Sequence, residues 1–145
     1  MCGIAGYVGD RESADVLVDA LSKLEYRGYD SAGIAVFDHG NIKVKKCKGR
    51  LANLVEKMDE EGKPQGHVGH TRWATHGEPS DINSHPHGNK RVTIVHNGII
   101  ENYKKLKDFL VGEGYSFASE TDTEVAAKLL DYYYDGDPMK TIAKV

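Results

Sequence analysis

The chain has 145 residues, about the length of one domain, and its 39% hydrophobic and 28% charged residues are typical of a globular protein. A net charge of −3 and the lack of any apolar run as long as a membrane span exclude the usual nucleic-acid-binding and membrane-spanning classes, so we expect neither partner. Two cysteines, Cys2 and Cys47, are too few for a disulfide framework, and the expected location is the reducing cytoplasm.

The first half of the chain is predicted to contain three strands and two helices. Apolar residues recur at helical spacing in two segments, whereas short apolar runs bounded by turn residues indicate the strands. A polar turn at 26–30 and a charged loop at 59–66 separate these elements. The predicted strands are 2–8, 31–37 and 42–48, and the predicted helices are 13–25 and 51–58.

The second half is predicted to contain two strands followed by three helices. Asn102 is a candidate N-cap, Gly112 and Gly114 are stop signals, and Thr121 with Glu124 forms a capping-box pattern. The order of elements predicts a layered α+β fold. The predicted strands are 67–75 and 91–96, joined by an irregular connection at 76–90, and the helices are 103–111, 122–133 and 139–145. The apolar face predicted for the helix after Thr121 consists of Val125, Ala126, Leu129, Leu130 and Tyr133.

The N-terminus carries the first candidate for catalysis. If the initiator Met1 is removed, which a small second residue permits, Cys2 combines a thiol and a free α-amine. An α-amine has a pKa of about 8, far below that of lysine, so part of it is neutral near pH 7 and can accept the thiol proton. Such an amine is a general base for its own side chain. The structural alternative is a small buried cysteine at the start of a strand.

Three polar groups further along the chain are candidates for binding and for transition-state stabilisation. Arg72 offers a planar fork for a carboxylate, although a surface arginine has the same sequence context. The side-chain NH2 of Asn97 and the N–H of Gly98 suit an oxyanion hole, but Asn-Gly is also a hairpin-turn signal. Asp122 falls in the first turn of a helix, where a carboxylate also compensates the helix dipole.

The histidines raise the question of a metal site, because six of the seven lie between His67 and His96. On a strand, His67 and His70 would face opposite sides of the sheet, and the chain has no HExxH pattern. His85 and His87 flank a proline and offer a ligand, but structural histidines are favoured. We therefore expect no metal and no other cofactor.

Four segments together carry a resemblance to a known family. They are Met1-Cys2-Gly3-Ile4, Tyr26-Arg27-Gly28-Tyr29-Asp30-Ser31-Ala32-Gly33, Gly69-His70-Thr71-Arg72-Trp73-Ala74-Thr75-His76-Gly77 and His96-Asn97-Gly98. In this order they resemble the class II glutamine amidotransferases. The Arg-Gly-x-Asp-Ser-Ala-Gly pattern is shared with amidophosphoribosyltransferases, whereas Tyr26 and Tyr29 match the branch that aminates fructose 6-phosphate, the glucosamine-6-phosphate synthases.

This resemblance implies an N-terminal-nucleophile hydrolase fold, an αββα sandwich, and a role for each matched residue. Cys2 would attack the side-chain amide of L-glutamine, while Asn97 and Gly98 would hold the oxyanion. Arg72 would bind the α-carboxylate of the substrate and Asp122 its α-ammonium.

Further residues are assigned by the same resemblance. Thr75 and His76 would join Arg72 at the carboxylate, and Trp73 would belong to a loop, extending to Ser80, that closes over glutamine. Three more positions match residues near the site or facing the sugar-binding part of the family: Arg27, Gly28 and His85. Cys47 matches no functional position.

The family also implies what 1–145 would lack. Its glutaminase domains are longer, so the sandwich is expected to be truncated at the C-terminus, with both sugar-isomerase domains, which bind fructose 6-phosphate, absent. The full-length enzyme is expected to be a homodimer. Three alternatives stay open: another class II amidotransferase, such as an amidophosphoribosyltransferase or an asparagine-forming enzyme; a non-catalytic amino-acid-binding fragment; and a metal-dependent hydrolase.

Overall fold

A computed structural model of the chain describes residues 2–9, 11, 13–38, 40–61, 68–72 and 78–145. The strands in these residues are β1 (Gly3–Gly6), β2 (Ser31–Asp38), β3 (Asn41–Lys48), β4 (Val68–Arg72), β5 (His87–Gly88) and β6 (Thr93–Ile94). The α-helices are α1 (Ser13–Ser22), α2 (Leu51–Glu61), α3 (Tyr103–Gly112), α4 (Asp122–Tyr133) and α5 (Pro138–Lys144), with a 3₁₀ turn at Glu25–Arg27.

Four strands form an antiparallel sheet in the order β1-β4-β2-β3. β2 and β3, both predicted as strands, pair as a hairpin that closes where Asp38 pairs with Asn41. β4 lies between β1 and β2, pairing Gly3 with Thr71 on one side and Ser31 with Arg72 on the other. Cys2 directly precedes Gly3, so this register places it beside Arg72, at the end of β4.

One face of this sheet is covered by α1 and α2. Burial of their apolar positions against β2 and β3 excludes water from side chains that would otherwise be hydrated, and this burial is the main stabilising contribution. The cluster consists of Ala14, Leu17 and Leu21 of α1, Ala32, Ile34 and Val36 of β2, Cys47 of β3, and Leu51, Leu54 and Met58 of α2. Cys47, which matches no functional position in the sequence, therefore lies in the core.

The other face of the sheet meets a smaller layer, in which β5 and β6 pair antiparallel and α4 packs on both. Lys46 of β3 joins the layers, because its Nζ donates to the carbonyl oxygens of Ile82 (3.0 Å) and Ser84 (2.9 Å). Outside this layer, α3 packs on α4 through Leu110 and Val125. The order of layers is helices, sheet, sheet, helices.

Several predicted boundaries need correction. α1 ends at Ser22 instead of Glu25, and α2 continues to Glu61, into the predicted loop. β5 lies within the predicted irregular connection. The predicted strand at 91–96 shrinks to β6 because Asn89 Oδ1 accepts from the backbone N–H groups of Arg91 (2.8 Å) and Val92 (3.0 Å), which bends the chain.

Two details of the helices also differ from the sequence prediction. Asn102 occupies the N-cap of α3, but its side chain makes no capping hydrogen bond. On α4, Val125 is buried as predicted, whereas Tyr133 is 37% exposed and Asp131 is buried in its place. The cause is Arg91, whose Nε donates to Asp131 Oδ1 at 2.9 Å and so covers that side of the helix. Among the helices that the structure describes, none has the length and hydropathy needed to cross a bilayer.

Candidate active site

A cavity of about 560 Å³ opens where the edge of the four-stranded sheet meets the start of α4. The predicted site residues that line it are Cys2, Arg27, Arg72, His85, Asn97, Gly98 and Asp122. The other lining residues are His96, Ile99, Thr121 and Thr123. Residues that are far apart in the chain thus surround one space of a size suited to a small ligand.

Asn97 makes a direct hydrogen bond to the backbone of Cys2, the candidate nucleophile. Its Nδ2 donates to the carbonyl oxygen of Cys2 at 3.0 Å, although the two residues are 95 positions apart. On its other side, Asn97 Oδ1 lies 3.0 Å from Nε2 of His70. An amide NH2 has two hydrogens, so this contact with Cys2 leaves one donor for a ligand.

Gly98 has a conformation that other residues rarely adopt. Its φ is +150°, and a Cβ at this position would lie 3.0 Å from Nε2 of His96. No strand occurs in residues 95–112, all of which are described, so Asn97-Gly98 does not form the turn of a hairpin. Gly98 instead lines the cavity next to Asn97.

Arg72 supplies the fixed positive charge. It ends β4, is only 3% exposed and lines the cavity. Burial lowers the pKa of its guanidinium, while attraction to Cys2, Asp30 and Asp122 opposes that effect. Because the ordinary pKa of arginine is above 12, the group remains charged at neutral pH.

Asp122 supplies the fixed negative charge at the first residue of α4. It is 3% exposed, and its Oδ2 accepts a hydrogen bond from the backbone N–H of Ile100 at 2.8 Å. The N-terminus of α4 also favours a carboxylate there through the helix dipole. A buried cation and a buried anion therefore face one cavity, an arrangement complementary to a zwitterionic amino acid.

The start of α4 is held by an N-cap that only partly follows the predicted capping box. Thr121 Oγ1 accepts from the backbone N–H of Glu124 at 3.2 Å, as predicted. The Glu124 carboxylate does not return to Thr121, however, but accepts from Ala118 N (3.0 Å), Ser119 N (2.6 Å) and Ser119 Oγ (2.6 Å). These hydrogen bonds hold the loop before the helix in place and so determine the position of Asp122.

Three buried histidines pack beside the cavity. The rings of His70 and His85 are stacked with centroids 4.3 Å apart, and His87 meets His85 edge-on at 4.9 Å. Burial lowers the pKa of His70 to about 4, that of His87 to about 3, and that of His85 below its ordinary value. All three rings are therefore neutral at pH 7. Within the described residues, no group of three or more His, Cys, Asp or Glu side chains is placed to hold a metal ion.

Not every predicted site residue belongs to this cavity. Trp73, Thr75 and His76 lie outside the described residues. Gly28 ends the 3₁₀ turn, where its N–H donates to the carbonyl of Glu25, and it is not among the lining residues described.

Sequence reasoning also left two histidines beside the cavity without a role. His96 lines the cavity, with Nδ1 3.3 Å from Thr123 Oγ1, and His70 bonds Asn97. The unusual density of histidines in the sequence is a signal for both residues, but by itself it raises only the question of a metal site.

Comparison with known proteins identifies the family. The sequence model described as "Glutamine amidotransferase domain" matches residues 70–142, half of the chain. The chain belongs to the glutamine amidotransferase family. This amidotransferase chain is 59% identical over 145 residues to the glutamine–fructose-6-phosphate aminotransferase [isomerizing] of Clostridium tetani, and the match covers 98% of the chain and 24% of that protein. The protein of the same name from Thermus thermophilus is 53% identical, again with 98% and 24% covered. The chain thus spans about a quarter of the length of these curated relatives.

Solved structures of amidotransferases have the same fold. The glutamine phosphoribosylpyrophosphate amidotransferase from B. subtilis, complexed with ADP and GMP, gives a TM-score of 0.77 at 27% identity, covering 99% of this chain and 31% of that one. A structure titled as the allosteric regulatory enzyme of purine biosynthesis gives 0.82 at 27% identity, covering 97% and 32%. The expected N-terminal-nucleophile hydrolase sandwich is therefore confirmed.

Proposed function

We propose that this chain hydrolyses the side-chain amide of L-glutamine through Cys2, and that the whole protein uses the ammonia to convert fructose 6-phosphate to glucosamine 6-phosphate. The observation that carries the proposal is the hydrogen bond between Asn97 and Cys2, in a cavity that Arg72 and Asp122 also line. The names of relatives that are 52–59% identical over most of the chain support the sugar acceptor.

Glutamine binding is proposed to depend on its two backbone charges. Arg72 receives the α-carboxylate with a planar fork of donors, and Asp122 receives the α-ammonium. Thr75 and His76 are proposed to add contacts to the carboxylate, and Trp73 to cover the bound substrate and exclude water. Burial of Arg72 and Asp122 strengthens both charge contacts, because the cavity screens them less than bulk water does.

The proposed chemistry begins after removal of Met1. The α-amine of Cys2 accepts the thiol proton, and the thiolate attacks the amide carbon of glutamine. The resulting oxyanion is bound by the free Nδ2–H of Asn97 and the N–H of Gly98. Collapse of this intermediate breaks the C–N bond and the proton passes to the leaving ammonia, which leaves a glutamyl thioester. Water, deprotonated by the same amine, then hydrolyses the thioester to glutamate and regenerates Cys2.

We propose that the sugar acceptor binds outside residues 1–145, and the relatives, about four times as long as this chain, leave room for such a site. In this proposal 1–145 is part of the glutaminase domain, and a homodimer of the whole protein stays a prediction. The second candidate acceptor is phosphoribosyl pyrophosphate. The structures of that class share only 27% identity with the chain, which favours fructose 6-phosphate.

Covalent labelling tests the nucleophile. We would measure intact mass after treatment with 6-diazo-5-oxo-L-norleucine, a reactive glutamine analogue, with and without excess glutamine. We expect Met1 to be absent and a single adduct on Cys2 that glutamine prevents. Cys2→Ala should abolish labelling and glutamate release, whereas Cys47→Ala, at a buried cysteine of β3 outside the cavity lining, should keep both. Retained Met1 or labelling that persists in Cys2→Ala would contradict the proposal.

The acceptor requires a separate assay with the whole protein. Glutamine and fructose 6-phosphate should yield glucosamine 6-phosphate, and phosphoribosyl pyrophosphate should yield no amine product. Amination of phosphoribosyl pyrophosphate would move the protein to the other class, and glutamate release without amination of either acceptor would remove the acceptor part of the proposal only.

A further inference from the structure

His70 makes a contact that links the sheet to the candidate oxyanion donor. It lies on β4, is 1% exposed, and its Nε2 is 3.0 Å from Oδ1 of Asn97. The opposite end of the same amide touches Cys2. A chain of two hydrogen bonds therefore runs from His70 through Asn97 to the residue proposed to carry the nucleophile.

The identity of the atoms in this chain follows from which groups can donate. The carbonyl oxygen of Cys2 only accepts, so the end of the Asn97 side chain that faces it must be the NH2 group. The other end, which faces His70, is then Oδ1, and Oδ1 also only accepts. His70 must consequently carry its proton on Nε2.

The surroundings of His70 keep this arrangement constant. Its ring is stacked on His85 at 4.3 Å with an interplanar angle of 17°, so rotation of the imidazole is restricted. Burial lowers the pKa of His70 to about 4, and the ring stays neutral across the physiological range. A neutral ring with one hydrogen provides a donor to Asn97 without placing a second positive charge next to Arg72.

We infer that His70 is a positioning residue, which holds the amide of Asn97 through Nε2–H···Oδ1 so that one N–H of Asn97 binds Cys2 and the other points at the oxyanion. The inference rests on the proposed glutaminase function. It gives His70 a part in transition-state stabilisation and none in glutamine binding, since the charges that recognise the substrate are on Arg72 and Asp122.

Substitution at His70 tests the inference through the split between kcat and KM. In glutamine, the side-chain nitrogen is about as far from Cα as imidazole Nε2 is, whereas in asparagine it reaches only as far as Nδ1. His70→Asn should therefore lower kcat for glutamine hydrolysis by about 10- to 100-fold, because a donor displaced by about 1 Å costs up to that factor, while KM changes little. His70→Gln should restore most of kcat.

A double-mutant cycle separates positioning from a general structural role. If His70 acts through Asn97, His70→Asn should have no further effect on kcat in an Asn97→Ala background. An equal loss in both backgrounds, a change in KM alone, or failure of His70→Gln to exceed His70→Asn would overturn the inference.

The proton position provides a readout that does not depend on activity. Long-range ¹H–¹⁵N spectra of histidine-labelled protein should show His70 as the neutral Nε2–H tautomer from pH 5.5 to 8, and an Nδ1–H tautomer would exclude the proposed bond. If the unsubstituted protein releases no glutamate, or Cys2→Ala still does, the glutaminase proposal fails by itself, while the spectra still decide how Asn97 is held.

Discussion

At the scale of single residues, the cavity depends on charged groups that are buried and also hold the backbone. Asp122 is the clearest case, because Oδ2 accepts from Ile100 N while the residue also faces the cavity. A buried carboxylate without partners would be costly. The hydrogen bond to Ile100 and the helix N-terminus stabilise it.

Removing only the charge of Asp122 separates these two roles. In Asp122→Asn the side-chain oxygen can still accept from Ile100, so the free energy of unfolding should change by no more than about 1 kcal/mol. The KM for glutamine should rise about 10-fold or more, since a hydrogen bond between charged groups contributes about 1.5–3 kcal/mol. Steady-state kinetics and urea unfolding measure the two effects. Asp108→Asn, at an exposed aspartate of α3, is the matched control, and an unchanged KM in Asp122→Asn would refute the proposed ammonium site.

At the scale of elements, residues 78–86 are irregular but firmly attached. Asp81 accepts from the backbone N–H of Lys48 at 2.7 Å and from Lys57 Nζ at 3.1 Å, and Asn83 Nδ2 donates to the carbonyl of Glu78 at 3.0 Å. Side chains thus satisfy backbone groups that a strand or helix would otherwise pair. This segment brings His85 against Gly33 of β2 and leads into β5, which carries His87.

The buried histidines predict how stability depends on pH. The folded pKa values of His70 and His87 are about 4 and about 3, below the unfolded value of about 6.5, so the unfolded chain binds more protons between those limits. The stabilising contribution of the neutral histidines should therefore be fully present above about pH 7, and the free energy of unfolding should fall as the pH drops below about 6.5. Between pH 7.5 and pH 5.5 each histidine should account for a loss of about 1 kcal/mol.

Urea unfolding at the two pH values measures this loss, and His87→Gln is the informative variant. It should reduce the difference between pH 7.5 and pH 5.5 by about 1 kcal/mol, the contribution of one proton. Glu124, the carboxylate beside His87, does not interfere in this window. Burial raises the pKa of Glu124, but hydrogen bonds from Ser119 and Ala118 outweigh that effect and lower the pKa below its ordinary value, so Glu124 titrates at lower pH. Equal stability at both pH values would show that these histidines are not held neutral by burial.

At the scale of the whole molecule, the four-stranded sheet closely approaches the segment that carries His85 at Gly33 of β2. A Cβ at this position would run into the carbonyl oxygen of His85 and would lie 2.9 Å from Cβ of Lys46. Lys46 fastens the same region by donating to the carbonyls of Ile82 and Ser84. The absence of a side chain at Gly33 therefore sets the spacing of the layers and the position of His85 at the cavity.

Adding one methyl group at this contact should separate the layers. Gly33→Ala is expected to lower the free energy of unfolding by about 1–3 kcal/mol, as overpacking of a close contact does. It should also raise the KM for glutamine, because His85 and the adjacent cavity wall move. Gly112→Ala is the matched control: apart from its chain neighbours and its own helix backbone, no atom of the described residues lies within 4 Å of its Cβ position at the end of α3, so stability should stay the same or rise by up to about 1 kcal/mol. Equal effects of the two substitutions would contradict the close-contact explanation.

Features that depend on neighbouring residues were predicted correctly from the sequence. The strands β2 and β3, the helical cores of α1 to α4 and the Thr121 cap follow from periodicity, turn residues and capping groups that lie within a few positions of one another. The four motifs also indicated the family and the N-terminal-nucleophile hydrolase fold, and both were confirmed.

Other features were decided by contacts between distant segments. β5 and β6 are two residues each, too short to produce a periodic pattern. Glu124 leaves its predicted capping partner and accepts from Ala118 and Ser119 instead, because the folded loop brings these donors within hydrogen-bonding distance.

The site itself needed the tertiary structure for the same reason. The two hydrogen bonds that position Asn97 connect it to His70, which is 27 positions away in the chain, and to Cys2, which is 95 positions away. No local pattern specifies these hydrogen bonds, since they form only after β1 and β4 pair and Asn97 packs against His70 and Cys2. The sequence by itself therefore determined the chemical groups and the family, and the packing of the two layers determined which of those groups meet.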